Sequence, residues 1–274
     1  MDTFRHGETI YEMLEQEKDA RKTMYLNEII IQYKKWKNES TNIIGNGEDE
    51  LKKKIQLYSK YRSFLFSKKF REESTFLRNR KLFETALSEF IYYIVKDLDI
   101  LEDSNNYLGR AEIPLNFKFE FANLWNIKSE KILNMFNQKM RLVIGRKLEI
   151  KYRVQGRRSY FSESSIFPFI VVPTAMVLDE WYIHNIQNQV RRFKSVFPFS
   201  LFILICEVLN SDFTIDLTTL SLDGIYILQQ QTTKMKRQEI SYDVISAFLK
   251  KIEKFLSQDK EDFLMKIKKG ILIE

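Results

Sequence analysis

The segment that most constrains the fold runs from 167 to 209, where two apolar runs flank an amphipathic stretch. Residues 169–172 form a continuous β-rich run, which is typical of a strand buried on both faces. Asp179 occupies the N-cap position of a predicted helix that Pro198 ends. The apolar run 199–208 is short enough for a central strand. The segment therefore predicts a strand–helix–strand unit, the building block of an α/β sheet with helices on its faces. The helix stripe consists of Trp181, Ile183, Ile186, Val190 and Phe193.

Landmarks of this segment occur in a particular order: a Leu-Asp step before the helix, a Lys and a Pro at its end, and a strand that leads to an acidic residue. They are Leu178, Asp179, Lys194, Pro198, the run 200–205 and Glu207. In order and spacing the segment resembles the catalytic half of type II restriction endonucleases with the PD-(D/E)xK nuclease fold. The resemblance is strongest to members that act as pairs of related subunits on short asymmetric sites.

The resemblance implies an acidic-x-Lys pair at the end of the first strand, but those two slots hold Pro173 and Ala175. The family also carries a metal-binding aspartate on the preceding strand. Between 142 and 161 the sequence offers only Glu149 as an acidic residue, and Arg153, Gln155 and Arg157 occupy the expected slots. The resemblance therefore favours the fold and argues against the family's chemistry in this chain.

Three carboxylates are candidates for a relocated active site. The family's first core helix carries a Leu-x-Glu-Phe step, which Leu87-Ser88-Glu89-Phe90 fits, and the resemblance implies that Glu89 lies near a metal. Asp179 and Glu207 flank the helix and strand of the central unit. Hydrolysis of a phosphodiester with Mg²⁺ requires carboxylates that hold the ion and a cation beside the attacking water. A helix N-cap explains Asp179, and a strand-end carboxylate explains Glu207, without any metal.

The net charge of +7 is concentrated in two basic clusters. Residues 51–81 contain eleven Lys and Arg residues, and 139–158 contain eight. Such clusters neutralise DNA phosphates and release counterions, and the alternative for each is a solvated basic face. The predicted DNA-binding residues are Lys52, Lys53, Lys54, Lys68, Lys69, Arg71, Arg153, Arg157 and Arg158.

Together with the remaining pattern, the resemblance implies an α/β protein with a restriction-endonuclease-like central mixed sheet flanked by helices. We divide it into a helical N-terminal extension, 1–70, and a restriction-endonuclease-like domain, 71–274. Apolar periodicity predicts helices at 8–37 (interrupted at 15–23), 49–70, 75–101, 128–141 and 244–256, with a linker around 38–49. Alternation predicts strands at 113–121 and 142–154, with Gly145 as a turn or bulge, and a short strand at 225–228 near the sheet edge.

The composition excludes several classes of protein. The chain has 274 residues, 44% of them apolar, which is enough for a sizeable core. It has no apolar run long enough to span a membrane, and its first residues lack a signal-peptide core. The single cysteine, Cys206, excludes an internal disulfide and a cysteine-based zinc site. We therefore expect a cytoplasmic protein.

These observations support three hypotheses. The first is a DNA-binding subunit or homologue of a type II restriction endonuclease whose active site is lost. It would need no cofactor, bind double-stranded DNA, and act as a homodimer or as a heterodimer with a related nuclease subunit. The second is an active endonuclease with relocated carboxylates and Mg²⁺ as cofactor. The third is a protein-interaction module that kept the fold without DNA binding.

Overall fold

The computed structural model describes residues 5–67, 70, 80–98, 101, 105–119, 133–152, 161–212, 214, 220–233 and 238–257. In these ranges the helices are α1 (Arg5–Gln16), α2 (Ala20–Asn42), α3 (Glu48–Leu65), α4 (Arg80–Val95), α5 (Glu180–Val196) and α6 (Tyr242–Leu256). The strands are β1 (Asn106–Phe119), β2 (Leu133–Tyr152), β3 (Phe161–Val171), β4 (Thr174–Leu178), β5 (Leu201–Leu209) and β6 (Gly224–Ile227).

Local capping explains where several helices begin. The Asp19 carboxylate accepts hydrogen bonds from the backbone N–H groups of Arg21 and Lys22 and so starts α2. This cap lies within the polar interruption predicted at 15–23, where α1 ends. The Ser241 hydroxyl caps α6 in the same way by accepting from Val244. The predicted linker is shorter than its sequence suggests, because α2 continues to Asn42.

The strands form one mixed sheet, as predicted. β1, β2 and β3 are an antiparallel meander, and β4 and β6 both pair with β5 in parallel. β3 also pairs in parallel with β5, through its last two residues, Ile170 and Val171. β3 and β4 thus follow the same side of β5 in succession, with a break at Val172–Pro173. The predicted strand–helix–strand unit is present as β3/β4, α5 and β5.

The helix predicted at 128–141 is wrong for the described residues from 133 onward, which belong to β2. β2 pairs with β1 along one side and with β3 along the other. Apolar residues four apart, such as Phe136 and Met140, satisfy both a helical repeat and a two-residue strand repeat. The long pairing with β1 decides between them. Gly145 lies at a bulge, as predicted, where a Cβ atom would stand 2.3 Å from the Phe167 carbonyl oxygen.

Two hydrophobic clusters fill the interior. The first joins α1, α2, α3, α4 and α6 with the sheet, and Tyr58, Phe90 and Phe248 are among its largest buried side chains. The second includes α5, through residues such as Ile183 and Phe193, together with Phe202 and other strand residues. The helices of the predicted extension therefore bury their apolar faces in the same core as α4, while the boundary at residue 70 remains a prediction. Among the described helices, none has the length and apolar character needed to cross a membrane.

Candidate functional site

A cavity of about 500 Å³ opens where β3 gives way to β4. The backbone N–H of Val172 donates to the Leu142 carbonyl at 3.0 Å. In the chain after this bond, β4 pairs with β5. In β2, the residues just before Leu142, namely Lys139 and Met140, pair with β1. The described lining residues come from β1, β2, β3, the strand break, β4, α5 and β5. They are Arg110, Lys139, Met140, Arg141, Val171, Pro173, Thr174, Trp181, Tyr182, Asn185, Ile186, Gln189 and Phe202.

Three cationic side chains line this cavity. Arg110 pairs with Glu8 of α1 at 2.8 Å, and Arg141 pairs with Glu84 of α4 at 2.6 Å. Lys139 is 78% exposed and lies 3.5 Å from Glu112. None of these carboxylates belongs to the described lining of the cavity. The charged side chains among the described lining residues are therefore all positive.

One face of α5 contributes another part of the lining. Trp181, Asn185 and Gln189 follow one another at intervals of four residues and so share a row along the helix. The Trp181 side chain is 68% exposed, although its spacing placed it in the predicted core stripe. Tyr182 donates from its hydroxyl to the Thr174 carbonyl at 3.1 Å, and burial raises the pKa of this phenol. Sequence periodicity identified the helix but not the exposure of its first-turn tryptophan.

The two slots of the acidic-x-Lys pair lie at different depths. Pro173 lines the cavity and supplies no side-chain ligand. Ala175 lies in β4, is 1% exposed, and belongs to the second hydrophobic cluster with Ile183 and Phe193. Lys194, another landmark of the resemblance, pairs with Asp223 at 2.6 Å and joins the end of α5 to the residue before β6.

The donor set of the cavity does not fit Mg²⁺. This ion requires oxygen ligands, usually including carboxylates. The described lining combines two Arg side chains and one Lys with proline, amides and aromatic groups, and it contains no carboxylate. Nor does the described part of the chain contain a group of three or more His, Cys, Asp or Glu residues placed to hold a metal.

Glu207 is fully buried near the end of β5, where two residues of α3 contact its carboxylate. Tyr58 donates from its hydroxyl to Oε1 at 2.8 Å, and Arg62 donates from Nε to Oε2 at 2.6 Å. The other end of the guanidinium, Nη2, also pairs with Oε2. The neighbouring Cys206 thiol has a pKa raised to about 12. Burial is the larger cause of this shift, and the charge of Glu207 is the smaller one. Both carboxylate oxygens of Glu207 are thus bound by side chains of α3.

Glu89 and Asp179 have other partners. Glu89 is 1% exposed and accepts hydrogen bonds from Tyr93 at 2.7 Å and Tyr33 at 3.1 Å. Asp179 accepts from the backbone N–H of Tyr182 at 2.8 Å and is the N-cap of α5, as predicted. None of the three candidate carboxylates is among the described residues that line the cavity. Their role as catalytic residues remains a prediction.

The predicted DNA-binding residues of α3 lie in different environments. Lys52 is exposed, pairs with Glu48 one turn earlier, and lies 5.5 Å from the centre of the Tyr242 ring. Lys53 is also exposed. Lys54 is only 1% exposed, and its ammonium contacts Asp97 at 2.8 Å and the Gly45 carbonyl at 2.8 Å. Burial lowers the pKa of Lys54, and Asp97 opposes this effect. This internal ion pair removes Lys54 from the surface available to DNA.

Six of the predicted DNA-binding residues lie outside the described residues: Lys68, Lys69, Arg71, Arg153, Arg157 and Arg158. Three cavity cations were absent from that prediction. Lys139 and Arg141 belong to the second basic cluster, 139–158, and that cluster is the sequence signal by which they could have been identified. Arg110 has no basic neighbours in sequence, and only the pairing of β1 with β2 brings it to Lys139 and Arg141.

Comparison with known proteins identifies the fold. No protein-family model matches the sequence, and no curated protein matches it. Among solved structures, a chain of the native A2B2 tetramer of BbvCI, a type II restriction endonuclease, matches with a TM-score of 0.68 and 14% identity. The match covers 90% of this chain and 93% of that chain. The mixed sheet, its flanking helices and this likeness together give the protein a restriction-endonuclease-like α/β fold.

Proposed function

We propose that this protein is a DNA-binding subunit or homologue of a type II restriction endonuclease whose own acidic-x-Lys active site is lost. The observation that carries the proposal is the cavity beside Pro173. The resemblance predicts metal-binding carboxylates at this position, and the described lining instead presents Arg110, Lys139 and Arg141. Such a wall attracts phosphates but does not hold Mg²⁺.

The contacts of the candidate carboxylates also support this proposal. Migrated catalytic carboxylates must converge on one ion. Glu207 is bound by Arg62 and Tyr58, Glu89 accepts from two tyrosines, and Asp179 caps a helix. Each has a structural role that its neighbours explain without a metal. We therefore favour loss of the active site over its relocation.

The proposed mode of action is recognition or assembly with a second subunit. The neighbour in fold, BbvCI, is an A2B2 tetramer. By analogy, this chain would pair with itself or with a related subunit that keeps the catalytic residues, and its basic surfaces would hold double-stranded DNA. The chain would then contribute DNA affinity and orientation, and the partner would supply the cleavage reaction.

The first test is a gel with supercoiled plasmid, in Mg²⁺ and in EDTA at two salt concentrations. We expect retardation in both, weaker at high salt, with no nicking by the isolated chain. Magnesium-dependent nicking that disappears in Glu89→Ala, Asp179→Ala or Glu207→Ala would overturn the loss of the active site, provided that the variants remain folded. A plasmid that is neither shifted nor cut would favour the interaction module.

A second test concerns the exposed lysines of α3. We expect Lys52→Glu and Lys53→Glu together to weaken duplex binding and to reduce its dependence on salt, because each lost phosphate contact lowers the salt slope by about one. The matched control is Lys250→Glu with Lys251→Glu, which reverses two exposed charges on α6. Equal affinities and slopes for the two double variants would show that α3 does not contact DNA.

A further inference from the structure

We infer that the cavity beside Pro173 is a nucleotide-binding site in which arginine and lysine side chains contact a phosphate directly, without a metal ion. The phosphate belongs either to a DNA backbone or to a free nucleotide. The DNA case rests on the proposed function, and the nucleotide case does not. In either case the phosphate would occupy the cavity beside Pro173. Arginine and lysine side chains, and not a metal ion, would neutralise its charge.

The first observation that supports this site is that the three cations can bind a further anion. Arg110 and Arg141 each use one terminal nitrogen to bind a carboxylate, Glu8 or Glu84. A guanidinium has five N–H donors, so a single ion pair leaves donors for a second anion. Lys139 is 78% exposed, and its contact with Glu112 is long at 3.5 Å, so that pair competes weakly for the ammonium. A phosphate in the cavity would meet the three cations as lining side chains, whereas their carboxylate partners are not among the described lining residues.

The α5 residues of the lining suit the rest of a nucleotide. The Trp181 indole is 68% exposed at the edge of the cavity, and exposed aromatic rings stack on bases of any sequence. Asn185 and Gln189 continue the same helical row, and their amides both donate and accept hydrogen bonds. A volume of about 500 Å³ lies within the range of small-molecule sites. A cavity lined by three cations, an exposed ring and two amides matches a phosphate joined to a base.

The test measures two ligands in EDTA: thymidine 5′-monophosphate by calorimetry and a short DNA duplex by fluorescence anisotropy. The variants are Lys139→Gln and Trp181→Ala, since both side chains are largely exposed and their loss leaves the Arg110 and Arg141 ion pairs intact. The matched controls are Lys251→Gln on α6 and Phe199→Ala, whose ring is 77% exposed.

We expect Trp181→Ala to weaken nucleotide binding about tenfold through lost stacking. We expect Lys139→Gln to lower the salt slope of duplex binding by about one. The controls should bind as the native chain does. These results together support the site with DNA as its ligand. Nucleotide binding that the cavity variants lose, in a chain that does not bind duplex, supports the site and overturns the proposed DNA function.

The same experiment can also refute the nucleotide site without refuting the proposed DNA function. If the native chain binds duplex, the cavity variants bind it equally well, and thymidine monophosphate does not bind, the nucleotide site is refuted while the DNA function stands. If neither ligand binds the native chain, both proposals are refuted. Circular dichroism of each variant, with a native-like spectrum required, ensures that lost binding is not lost folding.

Discussion

Arg62 and Glu207 form an ion pair inside the protein that joins α3 to β5. The Arg62 side chain is 9% exposed and that of Glu207 is 0% exposed. Nε donates to Oε2 at 2.6 Å, and Tyr58 completes the arrangement from the same helix. Because a buried charge without its partner is costly, this pair makes the position of α3 on the sheet a condition for stable folding.

We predict that Glu207→Ala lowers the free energy of unfolding by about 3–5 kcal/mol, since it leaves the Arg62 guanidinium buried and uncompensated. Urea denaturation measures the change. Glu253→Ala, which removes an exposed carboxylate from α6, is the matched control and should change stability little. The double variant Arg62→Met with Glu207→Leu should recover much of the loss, because it removes both charges. Equal stability of Glu207→Ala and Glu253→Ala would contradict a structural role.

Asp179 should act as a helix cap. Replacement by Ala removes the acceptor for the Tyr182 N–H and should cost about 1 kcal/mol, whereas Asp179→Ser should retain most of the stability. Thermal unfolding of the two variants provides the comparison. If plasmid cleavage were found and Asp179→Ser abolished it without loss of stability, the carboxylate would have a role beyond capping.

Ala175 should not accept the lysine that the resemblance places there. It is 1% exposed against the second hydrophobic cluster, so Ala175→Lys would bury a charge and should cost more than about 2 kcal/mol. Asn188→Lys, which adds the same charge to the exposed side of α5, should be nearly neutral. We also expect Pro173→Asp with Ala175→Lys to show no Mg²⁺-dependent nicking. Stable folding and nicking by this double variant would contradict our account of the site.

His6 should make stability dependent on pH. Its ring is fully buried, with Nε2 2.7 Å from the Tyr61 hydroxyl and Nδ1 3.1 Å from the Thr85 hydroxyl. Burial lowers its pKa from 6.5 to about 3, against a smaller opposing effect of the Leu82 backbone. The unfolded chain therefore takes up a proton below pH 6.5 that the folded chain does not. This contribution to stability is complete above pH 6.5 and declines as the pH falls.

The decline should reach about 1.4 kcal/mol per pH unit between pH 6.5 and 3, the value for one proton. Urea denaturation from pH 7 to pH 4 measures it, and His6→Gln should show a shallower slope than the native chain. His184→Gln, a change at an exposed position of α5, should keep the native slope. Identical slopes for native protein and His6→Gln would show that folding does not lower the pKa of His6.

Local patterns in the sequence predicted the strand–helix–strand unit beside the cavity but not how the three cations come together there. The N-cap Asp179, the apolar stripe of α5 and the two apolar runs are each defined by residues close together in the sequence. The strand–helix–strand unit was therefore predictable. The error at 128–141 arose because a four-residue spacing fits two periods, and only pairing with β1 resolves it. Arg110 reaches the cavity through that same pairing, which no local pattern encodes.

The environment of a charged side chain was equally hard to predict. Lys52, Lys53 and Lys54 are consecutive, but the helix turns the third inward to Asp97, a residue 43 positions away. Glu207 was predicted to be a strand-end carboxylate, and its partner Arg62 is separated from it by 145 positions. Such pairs depend on tertiary packing between helices and sheet, which composition and periodicity do not specify.

The bond between Arg62 and Glu207 also sets an order of events during synthesis on the ribosome. The helices α1 to α3 are made first, but the guanidinium of Arg62 acquires its carboxylate only after β5 has been made, 145 residues later. Until then the hydrophobic cluster that these helices share with the later helices and strands is incomplete. Because domains fold as units during synthesis, we expect the nascent N-terminal helices to remain open to chaperones until the strand that carries Glu207 has left the exit tunnel.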